Sequence, residues 1–270
     1  MESQLASTVL MIRPVRFESN RETAASNAFQ GRTGASAAEQ QQAALGEFDA
    51  LAAALREHGI EVLVYEDTAE PHTPDSIFPN NWVSFHADGR VVLYPMEARN
   101  RRLERRPDII DSLGADHGLV VSEVVDLSGH EADGHYLEGT GSMVLDRSGH
   151  VAYACLSSRT HLAPLGDFAQ RLDYEVISFD ATDRDGVAIY HTNVLMNVGE
   201  SLAVICDRAI RREDQRAAVL QRLRDSGRSV MTLDYGQLDA FAPGPPPVAT
   251  RIPPTPGDIH PPAPRRCASG

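Results

Sequence analysis

The chain has 270 residues, 42% of them hydrophobic and 23% charged, with a net charge of −13 at pH 7. That length supports one large domain or two small ones with a real core, and that acidity argues against nucleic acid or an anionic membrane surface as partner. All 25 basic residues are Arg, which excludes a Lys Schiff base and a P-loop Lys. Cys155, Cys206 and Cys267 are few, odd in number and far apart, a pattern that fits neither a disulfide scaffold nor a CxxC zinc site. The opening MESQLASTVLMIRP has no basic stretch followed by a long apolar run, and no 18-residue apolar segment occurs anywhere. The expectation is a reduced, soluble, cytoplasmic protein.

A unit of strand, tight turn, strand, helix and strand recurs along the chain. The first unit opens with a strand at Val9 to Pro14. A helix follows over Ala37 to His58, with apolar residues at helical spacing and Gly59 as its stop, and then a strand over Ile60 to Asp67. The second has WVSFH, an Ala87-Asp88-Gly89 turn and RVVLYP, a hairpin signal, then one Arg-rich helix from Glu97 to Leu113 and the strand LVVSEVVDL. The third has GSMVLD, a turn at Arg147-Ser148-Gly149 and HVAYACLS, then a helix over Thr160 to Arg171 and the strand YEVISFDA. The fourth has NVLMNV, a turn at Gly199-Glu200 and SLAVICD, then a helix over Arg211 to Asp225 and the strand SVMTLD. Trp82, Gly141 and Asn193 open successive hairpins 59 and 52 residues apart. Alternating strands and helices argue an α/β fold built from about four copies of one unit.

After Phe241 the pattern changes. Ten of residues 243–270 are Pro, against seven in the 242 before them. Pro fixes φ and removes a donor, so this segment is expected to hold no helix or central strand and to be disordered. The domain reading is 1–242 for the repeat and 243–270 for the tail. The tail is either natural or the product of an altered reading frame.

Polar residues gather where the first strand of each unit begins: Asp75 to Trp82, Leu137 to Met143, and Tyr190 to Val194. If the repeats surround an axis, these segments converge on one site. His191 is the candidate general acid/base, because imidazole titrates near neutrality. Glu138 stands beside Gly139 and Gly141, which allow close backbone approach.

These segments resemble the guanidine-modifying superfamily of arginine deiminases, dimethylarginine hydrolases and amidinotransferases, and most of all its citrulline utilization hydrolase branch. The resemblance covers roughly residues 8–241. It rests on LMIRPVRF with Asn27-Ala28-Phe29-Gln30, on DSIFPNNWVSFH, YPMEARNRRLERR, LEGTGSMVLD, ACLSSRTH and YHTNVLMNVG, in that order. It implies an α/β propeller of ββαβ modules, five in the family and about four here. It also implies hydrolysis of a C–N bond in a guanidino or ureido amino acid through a covalent Cys intermediate, with no cofactor and no metal. By resemblance His191 is the acid/base and Glu138 its carboxylate partner. Asp75, Asn81, Asn193, Arg159 and Arg101 are substrate-binding, Arg159 and Arg101 for the α-carboxylate. Asn81 and Asn193 stand where many members carry Asp, which favours a neutral ureido group over a cationic guanidinium.

The family nucleophile is a Cys in a Gly-rich element of the fifth module, and no such element is present. Cys155 and Cys206 lie in apolar strands and read as buried hydrophobes. Cys267 has the right order along the chain but lacks the glycines and any strand pattern. Turnover is therefore expected to be absent, and the edges left by the fifth module are expected to favour aggregation. Three alternatives stay open: a non-catalytic binder of arginine-derived amino acids, an amidinotransferase, and a metal site at His130-Glu-Ala-Asp-Gly-His135. The expected partner is a small amino-acid substrate, with homo-oligomerisation open.

Overall fold

The computed structural model describes residues 2–23, 35–237 and 250–253. β1 (Thr8–Arg13), α1 (Ala37–Glu57) and β2 (Glu61–Glu66) form the first unit. Ser36 caps α1 by accepting from the Glu39 amide, and the Glu39 side chain reaches back to the Ser36 amide, which satisfies two otherwise orphaned donors. β3 (Val83–Phe85), β4 (Arg90–Leu93), α2 (Pro107–His117) and β5 (Glu123–Asp126) form the second. The third is α3 (Gly139–Ser142), β6 (Val144–Asp146), β7 (Val151–Cys155), α4 (Leu162–Leu172) and β8 (Glu175–Phe179). The fourth is β9 (Met196–Val198), β10 (Leu202–Ile205), α5 (Glu213–Asp225) and β11 (Ser229–Thr232), with β12 (Thr250–Ile252) last in the chain.

These strands make four three-stranded sheets: β12-β1-β2, β3-β4-β5, β6-β7-β8 and β9-β10-β11. In every sheet the middle strand pairs antiparallel on one side and parallel on the other. The repeat read from the sequence is thus a repeat of topology, and the architecture is mixed α/β with small sheets.

Two expectations change. The single helix over Glu97 to Leu113 is instead a 3-10 turn, Asn100–Glu104, followed by α2. Pro107 sits at the first turn of α2. Its ring disfavours a helical residue before it, so the helix restarts there. The segment after Phe241 was expected to hold no helix or central strand and to be disordered, yet Thr250 to Ile252 are ordered at a sheet edge, where Thr250 and Ile252 pair with Leu10 and Thr8. Thr250-Arg251-Ile252 is β-branched at two of three positions and forms an edge strand, where flanking prolines are tolerated.

Each of the four longer helices, α1, α2, α4 and α5, covers its own sheet, and three also meet the preceding one. Ile109, Ile110 and Leu113 of α2 lie with Leu10 and Ile12 of the first sheet and Val83 and Val91 of the second. Leu165, Phe168 and Leu172 of α4 lie with Val92 and Val125 of the second sheet and Leu145 and Ala152 of the third. Val219 and Leu223 of α5 lie with Val151 and Tyr153 of the third sheet and Ala203 and Ile205 of the fourth. Phe48 and Ala52 of α1 meet Val9, Met11 and Val62, all of the first sheet.

Polar ties join the third and fourth sheets. Arg228 donates to both Asp146 oxygens at 2.7 and 2.9 Å, and Gln4 Nε2 donates to the carbonyls of Leu145 and Val198 at 2.9 and 2.8 Å. Among the described residues no helix is long and apolar enough to cross a membrane.

Candidate active site

Three sheets begin with the same device, a tight turn just before the first strand. The turns are Pro79–Asn81 before β3, α3 before β6, and Thr192–Val194 before β9. Phe78, Glu138 and His191 are the residues that lead into them, so Glu138 and His191 hold equivalent places in successive units. α3 lies between the other two turns. A Cβ on Gly139, whose φ is +46°, would lie 2.2 Å from the Asn80 carbonyl oxygen, and a Cβ on Gly141 would lie 2.5 Å from the Asn81 amide and 2.8 Å from His191 Nδ1. Only glycine permits this convergence.

Glu138 and His191 meet at 2.8 Å, Oε2 to Nε2. Burial, with Arg159 and Arg101 nearby, holds His191 below the ordinary imidazole value against the opposing pull of Glu138. Burial would raise Glu138, but the His191 hydrogen bond and then Arg101 and Arg159 hold it down at about 2. A neutral imidazole therefore donates from Nε2 to an ionised carboxylate, which leaves Nδ1 as an acceptor. Nδ1 is the ring atom that crowds Gly141.

Two arginines surround Glu138. Arg101 Nη1 and Arg159 Nη1 both lie 3.5 Å from Glu138 Oε2. Arg101 is buried and makes two 2.9 Å hydrogen bonds to Glu104, with Asp75 at 3.6 Å. Asp75 also accepts from Asn20 Nδ2 at 2.7 Å. The guanidinium of Arg159 lies over the Tyr190 ring, 4.6 Å from its centroid, a cation–π contact that orients it.

These groups surround a small, open cavity of about 70 Å³. Asp75, Asn81, Arg101, Arg159, His191 and Asn193 all line it. Glu138 does not: it is fully buried behind His191. Its contact with the site runs through His191, the place expected for the carboxylate partner of that imidazole. Sequence reasoning missed Tyr190 and Asn80, which also line the cavity, and Glu104 and Asn20, which hold Arg101 and Asp75 from behind. Tyr190 and Asn80 adjoin His191 and Asn81, and Glu104 stands three residues after Arg101. Those adjacencies were the available signals.

Cys155 and Cys206 are buried. Burial pushes the Cys155 thiol up to about 12, so it stays protonated. Cys267, like Asn27 to Gln30, lies outside the described residues. In the His130-to-His135 segment, His130 pairs with Asp167 at 3.2 Å and His135 lies against His161; among the described residues there is no group of three or more His, Cys, Asp or Glu that could hold a metal ion.

A family model described as "N,N dimethylarginine dimethylhydrolase, eukaryotic" matches residues 13–244. The chain belongs to the guanidine-modifying superfamily of amidinotransferases and dimethylarginine hydrolases. Comparison with curated protein sequences gave no match. Among solved structures, the chain resembles the product-bound N-terminal domain of ArgZ, an arginine dihydrolase from the ornithine–ammonia cycle in cyanobacteria. The two are 19% identical over 87% of this chain and 78% of that one, with a TM-score of 0.65. It also resembles DDAH from Pseudomonas aeruginosa complexed with citrulline, at 13% identity over 92% of this chain and 100% of that one, TM-score 0.57. Against the longer apo ArgZ the identity is 17% and the TM-score 0.59, over 87% of this chain, which spans only 31% of that one.

Proposed function

We propose that the cavity binds a guanidino or ureido amino acid, and that the chain derives from a hydrolase of the C–N bond in such a ligand. In this reading the four sheets are four modules of an α/β propeller. The observation that carries it is the neutral His191 held by Glu138 at the wall of a cavity that two buried arginines also line. Arg159, oriented by Tyr190, is suited to the ligand α-carboxylate. His191 is suited to move a proton at the scissile nitrogen, from the ring face that Glu138 does not occupy.

Turnover in this class needs a Cys thiolate at the central carbon of the ligand. The thiolate would add to that carbon, a protonated amine or ammonia would leave, and water would then release the second product and free the thiol. No described residue supplies such a group: Cys155 is protonated and engaged with Thr192 and the Ile189 carbonyl. Binding without hydrolysis is therefore the expected behaviour of this chain.

The test is calorimetry with L-citrulline and L-arginine, beside an assay for ammonia release. Binding of at least one ligand, weakened about tenfold or more by Arg159→Ala, with no ammonia formed, supports the reading. Absence of binding to both ligands would sink it, and ammonia formation would overturn the loss of turnover.

A further inference from the structure

Arginines of this chain are commonly offset by a carboxylate: Arg90 by Asp88, Arg106 by Asp108, Arg212 by Asp214 and Arg222 by Glu175. One place departs from that. In the fourth unit, Asp207, Arg208, Arg211, Arg216 and Tyr235 line an open cavity of about 580 Å³. Arg208 and Arg211 are exposed and Arg216 is half-buried. Among the described residues, none of these three guanidiniums pairs with a carboxylate, Asp207 included. Arg211 is held instead by neutral acceptors: its Nε donates to Thr182 Oγ1 at 3.2 Å and its Nη2 to the Asp183 carbonyl at 2.9 Å. Its guanidinium lies over the Tyr235 ring, 5.4 Å from the centroid. The Tyr235 hydroxyl donates to the carbonyls of Thr182 and Arg208, each at 3.1 Å, which ties two loops of the cavity together. Arg216 Nη1 likewise meets a neutral acceptor, the Ile210 carbonyl, at 3.4 Å. Neutral acceptors fix a guanidinium in place and leave its charge uncompensated.

We propose that this cavity is a binding site for a multivalent oxyanion, of the chemical type of a polyphosphate chain. A guanidinium presents paired N–H donors that match phosphate oxygens. Arg211 Nη1 and the whole Arg208 head group make no hydrogen bond among the described residues, so these donors face the cavity unspent. The net charge of −13 opposes any anion, and Asp207 adds to that opposition at the cavity itself. A single negative charge gains little against both. An anion with several charges meets three cations at short range, where attraction outweighs a field screened over about 10 Å. The breadth of the cavity suits an extended anion that engages more than one guanidinium at a time. None of its lining residues lines the His191 cavity, so the inference is independent of the function proposed above.

The experiment is calorimetry of the full chain with inorganic tripolyphosphate and with adenosine triphosphate, at neutral pH and low ionic strength. Wild type should bind both, with an affinity that falls as salt is added. Tighter binding of the nucleotide assigns the site to nucleotides, equal binding assigns it to the phosphate chain alone, and either supports the proposal. Arg211→Ala should weaken tripolyphosphate by about tenfold or more. Arg208→Gln removes an exposed head group that holds nothing among the described residues, so it keeps the fold and should weaken tripolyphosphate by about threefold or more. Asp207→Asn should act in the opposite direction and tighten binding by about twofold to threefold, because it removes the negative charge among the lining residues. Opposite signs at adjacent positions are an outcome that damage to the fold does not produce. Failure of wild type to bind either anion overturns the proposal. So does a tripolyphosphate affinity unchanged within about twofold in every arginine variant that folds, which would place the anion elsewhere on the chain.

Discussion

β7 and β10 occupy the same place in successive sheets, each between an antiparallel and a parallel neighbour. All five residues of β7 are buried, whereas β10 alternates, with Leu202 39% exposed. The difference lies in what covers them. Among the described residues, the β7 sheet has α4 on one face and α5 on the other, while the β10 sheet has α5 on one face only. α1, again among the described residues, shows the complementary lack, since it covers its own sheet but meets no preceding one. Among the described residues, the outer face of β10 and the outer side of α1 are thus the two surfaces against which no further unit packs. A strand buried on both faces reads as a continuous apolar run, and one buried on a single face alternates. VAYAC and SLAVIC look alike as sequence, so only the packing distinguishes them.

The largest effect should come from α4. Phe168 is fully buried between the second and third sheets, and Phe168→Ala should cost about 3–5 kcal/mol in urea unfolding. Met231 of β11 is 51% exposed on the fourth sheet, and Met231→Ala should change stability by about 0.5 kcal/mol or less. Comparable losses in the two variants would mean that a further layer covers the fourth sheet in solution, and the comparison of β7 with β10 would break.

Acid should act next, because Glu138 before β6 and His191 before β9 tie the well-covered sheet to the less covered one. The folded carboxyl sits at about 2 against an ordinary 4.5. Its stabilisation is present above about pH 4.5 and is lost as pH falls toward 2. His191 is also depressed, below its ordinary 6.5. A neutral buried imidazole likewise stabilises above the unfolded value and loses that contribution as pH falls. Both groups therefore weaken the fold on the acid side. Hydrogen exchange should show β10 amides opening before β7 amides as pH is lowered from 7 to about 3. Glu138→Gln should cost about 3 kcal/mol at neutrality by leaving Arg101 and Arg159 without their shared partner. It should also flatten the decline below pH 4.5, and an undiminished decline would assign the acid response elsewhere.

The same contrast explains what could be read from residues alone. Strand and helix order was legible because it is local: apolar spacing, Asp-Gly and Gly turns, and the Gly59 helix stop are written within a few residues. The convergence of Glu138, His191 and Asn81 was legible through the repeat, since equivalent positions in successive units meet. β12 was not legible. Three residues among prolines carry a weak strand signal, and what stabilises them is β1, more than 230 residues earlier. Glu104 was overlooked because RRLERR reads as a solvated charge run. Only the fold shows that Arg101 and Glu104 are buried while Arg102 and Arg105 turn instead to Glu131.

The smallest effect separates packing from intrinsic preference on the same helix. Gly166 lies on the exposed side of α4, two residues before Phe168, and a Cβ there would meet nothing within 4 Å. Its backbone is helical, so alanine adds no strain and removes freedom from the unfolded chain. Gly166→Ala should therefore raise stability by about 0.5–1 kcal/mol in urea unfolding, with no change in ligand affinity. The substitution adds no buried contact, so a gain of that size is helix preference alone. If it instead destabilises the chain, the outer side of α4 is covered in solution, and the helix taken as the fully packed reference would have a third neighbour.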